Sequence, residues 1–87
     1  DENTAKLYNI PMGVLVKYIY EDSPAEDSGL KIMDLIVGIN GENVYNMDDL
    51  MEIVSKYKPG DEITLKVIRD EDQKMEIKVT LGNRGKM

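Results

Sequence analysis

Eighty-seven residues, 41% of them hydrophobic but with no Phe and no Trp, suffice for one thin core of Ile, Leu, Val, Met and Tyr and leave nothing for a second domain. The excess of 17 acidic over 11 basic residues argues against a nucleic-acid partner, whose affinity would come largely from counterions displaced by Lys and Arg. Cysteine and histidine are both absent, which removes disulfides, thiolate metal sites, cysteine nucleophiles and any Ser-His-Asp relay within this chain, so no cofactor and no metal site is expected.

No apolar run approaches the ~20 residues of a membrane span, so no direct membrane insertion is expected. The start, DENTAKLYNIP, lacks the basic and apolar regions of a signal peptide. It carries Ala5, Leu7, Tyr8 and Ile10 and reads as one frayed helical turn ending before Pro11. From Gly13, GVLVKYIY is rich in β-branched and aromatic residues and predicts a strand over Val14 to Tyr20, covered on both faces at its start.

The next stretch, EDSPAEDSGLKIMDLIVGING, sets Ser23 and Ser28 among acidic side chains and raises the question of a nucleophile. With no imidazole to serve it, Ser23 reads instead as a helix N-cap. Pro24 occupies the first helical position, Glu26 lies at N3 with its carboxylate in reach of the cap amide, and Gly29 closes a one- or two-turn helix in the left-handed conformation. A carboxylate pair, Glu21 with Asp22 or Glu26 with Asp27, would be the acid and base of a small hydrolase, but neighbouring charges in a capped polar turn are the pattern of a solvated surface.

Asp34 to Ile39 predicts a strand, Asn40-Gly41 a two-residue hairpin turn, and Asn43 to Tyr45 the short return strand. Gly38 within the first of these marks a bulge or a close backbone approach. The segment NMDDLMEIVSKY has Asn46 as cap, Asp48 and Asp49 in the first turn, Lys56 in the last, and Pro59-Gly60 as its stop. Leu50, Ile53, Val54 and Tyr57 form the apolar stripe of a helix docked on a core, while Met47 and Met51 join Val54 in a second row beside it. The chain ends in a hairpin whose arms alternate, with Ile63, Leu65 and Val67 in one and Met75, Ile77, Val79 and Leu81 in the other. At the turn between them, Asp70 and Asp72 suggest a calcium loop, but Lys74 and the missing glycine break that pattern.

In this order GVLV, SPAEDSGL, DLIVGINGENV, NMDDLMEIV, KPGDEITLKVIRD and MEIKVTLG resemble a bacterial PDZ domain, most like those of the HtrA/DegP-type trypsin-like serine proteases. The resemblance runs from about Thr4 to Gly82. It implies an α+β fold, a small, partly open β-sandwich or barrel of about five strands with one short and one longer helix. It divides the chain into a lead-in over residues 1–12, a PDZ core over 13–82 and a tail over 83–87. The family's Gly-rich carboxylate loop and the strand after it should precede TAKLYNIP, and the chain begins too late to contain them, so one sheet edge is expected to stand open to weak binding or to self-association. Ile32-Met33 replaces the usual Pro-Gly before Asp34, which would strain Met33 if that backbone needs a positive φ. Ser28 stands where alanine is common, a change the fold should absorb.

What the resemblance implies for function is peptide recognition. PDZ domains take an extended C-terminal segment of another protein as an added strand between a sheet edge and the longer helix, its carboxylate held by backbone amides. On that pattern the peptide-binding residues are Met47, Met51 and Val54, a soft pocket for a large apolar side chain. The implied parent is a bacterial serine endopeptidase of protein quality control, periplasmic or otherwise extracytoplasmic, with the catalytic triad upstream, this chain being non-catalytic. Its partners would be C-terminal or unfolded protein segments and the parent's protease domain. Site-two-type metalloproteases, C-terminal processing proteases and secretion-system proteins carry similar domains as structural or regulatory parts and are the alternative parents.

Overall fold

The computed structural model describes residues 12–82; the turn expected over Asp1 to Pro11 and the tail over 83–87 lie outside the described residues. Seven elements follow in order: β1 (Val14–Leu15), α1 (Pro24–Asp27), β2 (Leu35–Ile39), β3 (Glu42–Asn43), α2 (Met47–Val54), β4 (Glu62–Arg69) and β5 (Gln73–Thr80). The strands form one open antiparallel sheet in the order β1-β2-β4-β5, with β3 beside β2. This is the expected α+β architecture of five strands, one short helix and one longer one.

The terminal hairpin supplies the floor of the core, because its two long strands pair in a register that sets Ile63 opposite Val79 and Leu65 opposite Ile77. Ile39 and Val44 from the central hairpin and Leu50 and Ile53 from α2 pack with them in one buried cluster. Gly38 is both of the things its place in a strand suggests. The β2–β4 register shifts between Ile36 and Gly38, and a Cβ on Gly38 would lie 3.2 Å from the Glu42 carbonyl oxygen. Asn40 and Gly41 turn with φ of +49° and +84°, and the Asn40 side-chain oxygen accepts from the Thr64 amide at 2.7 Å, tying the turn to β4.

α1 is capped as its sequence predicts, with one exchange of partners. Ser23 Oγ accepts from the Glu26 amide at 3.3 Å. The Glu26 carboxylate, however, meets the amide of Asp22 at 3.4 Å, because the cap amide of Ser23 already donates to the Tyr20 carbonyl. The Ser23 hydroxyl donates to that same carbonyl at 2.6 Å, so it is a structural knot, not a nucleophile. Ser28 does more than fit: its hydroxyl donates to the Ala25 carbonyl and accepts from the Leu30 amide, finishing the helix before Gly29 turns at φ +93°.

Expected boundaries move in four elements, the smallest change being β2, which begins at Leu35 and not Asp34. β1 covers only Val14–Leu15, and pairing with the β2 side reaches just to Val16, whose amide donates to the Asp34 carbonyl and whose carbonyl accepts from Met33. Beyond it the opposing chain turns away through Lys31–Asp34, so Tyr18 and Tyr20 leave the sheet and stack edge to face in solvent, 4.9 Å between ring centroids. Nor is β1 covered on both faces, since Leu15 is 38% exposed. The return strand β3 runs over Glu42–Asn43 and not Asn43 to Tyr45, although Val44 extends its ladder by donating to Val37. α2 ends at Val54, and the amides of Lys56 and Tyr57 then reach back only three residues, a tighter turn that takes Lys56 out of the helix and into an ion pair with Glu42 at 3.1 Å.

Met33 keeps the backbone that the family's glycine would adopt. Its φ is +78°, its amide is fixed to Val16 at 2.7 Å, and its side chain is 64% exposed, so strain is not offset by burial. Just after it, Asp34 is 1% exposed and is held by Arg69, whose Nε and Nη2 donate to the two carboxylate oxygens at 2.7 Å each. The Lys31 amide donates to Asp34 as well, and Arg69 reaches on to the Gly29 carbonyl. The guanidinium holds the Asp34 carboxyl below the usual carboxylate range, against the upward pull of burial.

Met33→Gly should therefore raise stability by about 0.5–1 kcal/mol, relief of left-handed strain exceeding the added freedom of the unfolded chain, read as a higher urea midpoint at unchanged slope. Arg69→Leu should cost about 3 kcal/mol at neutral pH by leaving Asp34 buried and unpaired. Because the native pKa of Asp34 is lowered, the pair's contribution is full above the ordinary carboxylate range and is lost as pH falls through the native value. The difference between wild type and Arg69→Leu should accordingly shrink in acid, measured as urea midpoints at two pH values.

Candidate functional site

α2 has two apolar rows with different fates, and the difference is fixed by how the helix is seated. Asn46 caps it by accepting from the Asp49 amide at 2.9 Å, and Asp49 returns the contact by accepting from the Tyr45 amide at 3.0 Å. Leu50 and Ile53 then turn into the buried cluster, with Val54 and Tyr57 half-buried against it. Met47 and Met51, on the neighbouring row, are 55% and 61% exposed. Of the three residues that the sequence predicts for the site, two methionines thus lie open together on one helix face, while Val54 shares its surface between that face and the core.

The strand side contributes backbone. Val16 pairs its amide and carbonyl with Asp34 and Met33, so by alternation the amides and carbonyls of Leu15 and Lys17 lie on the other side of the chain. Among the described residues nothing pairs with that side of β1. Sequence reasoning placed only helix residues in the site; the edge depends on pairings set 20 residues away, which no local pattern carries, as in Val14 opposite Ile36 and Leu15 opposite Leu35.

The acidic stretch does not gather into a centre. Glu26 is engaged in capping α1, and Glu21, Asp22 and Asp27 are exposed around it. What the described surface offers is therefore an apolar helix face and an unpaired strand edge, the two components needed to take up an extended peptide by strand addition.

Comparison with known proteins identifies the family and the fold. The family model for the PDZ domain matches residues 2–81. A probable periplasmic serine endoprotease, DegP-like, of Ectopseudomonas mendocina (strain ymp) is 39% identical over 72 residues, covering 83% of this chain and 15% of that protein. The serine protease Do-like HtrB of Bacillus subtilis (strain 168) is 41% identical over 71 residues, covering 78% of this chain and 16% of its own length. Among solved structures, the HtrA-type protease AlgW with decapeptide superposes with a TM-score of 0.77 at 27% identity, over 97% of this chain and 26% of that one. The chain spans less than a fifth of the length of the two curated relatives.

The two rows of α2 should separate in a stability measurement. Met47→Ala and Met51→Ala should each change the unfolding free energy by less than about 0.5 kcal/mol, as for exposed positions, whereas Ile53→Ala should cost about 2–4 kcal/mol, compared as urea midpoints.

Proposed function

The chain belongs to the PDZ domain family, and on that footing we propose that it is the peptide-binding module of an HtrA-like serine protease, taking extended or C-terminal segments of substrate proteins on Met47, Met51 and Val54. The observation that carries the reading is the exposure of Met47 and Met51, more than half open to water on a helix whose Leu50 and Ile53 are buried in the core. Apolar area left in solvent on a short helix, in a domain that also has a strand side with no partner among the described residues, is the kind of surface that takes up an extended segment. Methionine suits such a face, since an unbranched, polarisable side chain adapts to apolar residues of different shape.

In this role the module performs no chemistry. It binds a protein tail by strand addition at a main-chain edge and by one apolar side chain seated on the methionines, and it presents that tail to a protease domain elsewhere in the parent. The parent's activity would be endoproteolysis of unfolded or damaged proteins in an extracytoplasmic compartment. A solved HtrA-type protease of the same fold with a decapeptide supports the assignment.

Peptides ending in Val, Leu or Phe with a free carboxylate should bind a chain that includes the parent's preceding residues with a dissociation constant on the order of micromolar, as measured by calorimetry. Equal affinity for the same peptides amidated at the C-terminus would exclude carboxylate capture, and unchanged binding by Met47→Ala/Met51→Ala would exclude the helix face.

A further inference from the structure

We propose that Met47 and Met51 form an oxidant-sensitive pair, and that their conversion to sulfoxides by hydrogen peroxide turns peptide binding off while the domain stays folded. The inference deepens the peptide-binding reading and rests on it. It begins from where the sulfur lies. The chain has no cysteine and six methionines, so its oxidisable sulfur is all thioether. Met47 and Met51 are 55% and 61% exposed, whereas Met75 is half-buried against the core and Met12 is half-buried as well. A peroxide in solution therefore reaches the two helix sulfurs ahead of those two.

Position decides what the oxidation does. Met47 and Met51 stand four residues apart on α2, and side chains at that spacing are neighbours on one face, so two sulfoxides would lie side by side. The helix is held elsewhere, by Leu50 and Ile53 in the core and by the cap of Asn46 and Asp49. In the free domain the added oxygens point into water and disturb no buried contact. Beneath the apolar side chain of a bound peptide, the same oxygens lose their water and gain no donor. Oxidation thus acts on the bound state far more than on the fold. Met33 supplies the contrast, since it is 64% exposed but lies in the loop before β2, off this helix face.

The chemistry is complete with peroxide alone. A lone pair of the thioether sulfur attacks one peroxide oxygen and the O–O bond breaks. The sulfur keeps that oxygen as the sulfoxide, and the departing hydroxide takes the proton and leaves as water. Sulfur is oxidised as peroxide is reduced, and methionine sulfoxide reductases, one for each sulfoxide epimer, reverse the change.

The test uses the 87-residue chain with 13C-methyl methionine and a 15N backbone, so that methyl signals show which sulfurs are oxidised and the α2 amides read binding, even when weak. A peptide ending in leucine with a free carboxylate is titrated before treatment, after peroxide limited to leave the Met75 signal unshifted, and again after both reductases. The expected result is oxidation of Met33, Met47 and Met51 ahead of Met75, an unchanged urea midpoint, affinity lowered by about tenfold, and recovery on reduction. Met33→Leu should keep that loss, and Met47→Leu/Met51→Leu, from whatever affinity it begins with, should bind equally before and after peroxide. If the peptide moves neither the Met47 and Met51 signals nor the α2 amides of the untreated chain, the peptide-binding reading falls and the switch falls with it. The switch alone is overturned, with binding intact, by any of four results: unchanged affinity of the oxidised chain, a lowered urea midpoint, no recovery on reduction, or a loss that follows Met33 and not the helix pair.

Discussion

The buried pairing of Asp34 with Arg69 is the constraint on which the rest of the molecule hangs. Asp34 leads into β2 and Arg69 ends β4, so the pair joins the start of one central strand to the end of its neighbour, with Ile68 opposite Leu35 just inside it. Through Lys31 and Gly29 it also fastens the loop that returns from α1. That loop carries the carbonyl and the amide that pair with Val16, and hence determines where β1 can bond and where it must leave the sheet. A carboxylate almost wholly removed from water is stable there because it has three donors, two from one guanidinium and one from the backbone.

A second division of labour lies in α2. Eight residues do not make a stable helix alone; the cap of Asn46 and Asp49 and the burial of Leu50 and Ile53 hold it. Because those contacts are sufficient, the neighbouring row carries no structural duty, and its methionines are free to be chosen for what they meet from outside. On the proposed function, stability and recognition fall to adjacent rows of one short element, about a quarter-turn apart.

What could be read from the sequence was whatever is encoded within a few residues. The caps of both helices, the Asn-Gly turn, the glycine bulge and the alternation of the terminal hairpin follow from local chemistry, and each lies where its residues predict. The Asp34–Arg69 pair was invisible, since an aspartate before a strand and an arginine 35 residues later have no pattern that joins them. The early end of β1 escaped for the same reason: Lys17 to Tyr20 have every local preference for a strand, but the partner chain has turned away. The strain at Met33 was legible only through the family's habit of glycine there, and the structure keeps the positive φ while accepting the wrong residue for it. The helix face was legible as a second apolar row and an open sheet edge was expected from the resemblance, whereas the sheet order was needed to identify β1 as the edge among the described strands.

The two edges of that sheet are not equivalent, and their difference bears on where a peptide could add. β5 is an eight-residue edge among the described strands, long enough to pair with almost anything, but it presents Lys74, Glu76 and Lys78 as exposed alternate residues, the charged guard by which natural sheets discourage edge-to-edge association. β1 is the opposite case. It is short, its exposed neighbour within the strand is Leu15, and it carries no charge before Lys17. A short edge gives few hydrogen bonds, so strand addition there gains little from backbone alone and must draw on a side-chain contact to be worthwhile. In the proposed function that contact is supplied by the exposed Met47 and Met51 of α2. On the proposed function, pairing a weak edge with an adaptable apolar face would make binding depend on the ligand's terminal side chain, where a longer bare edge would accept any strand.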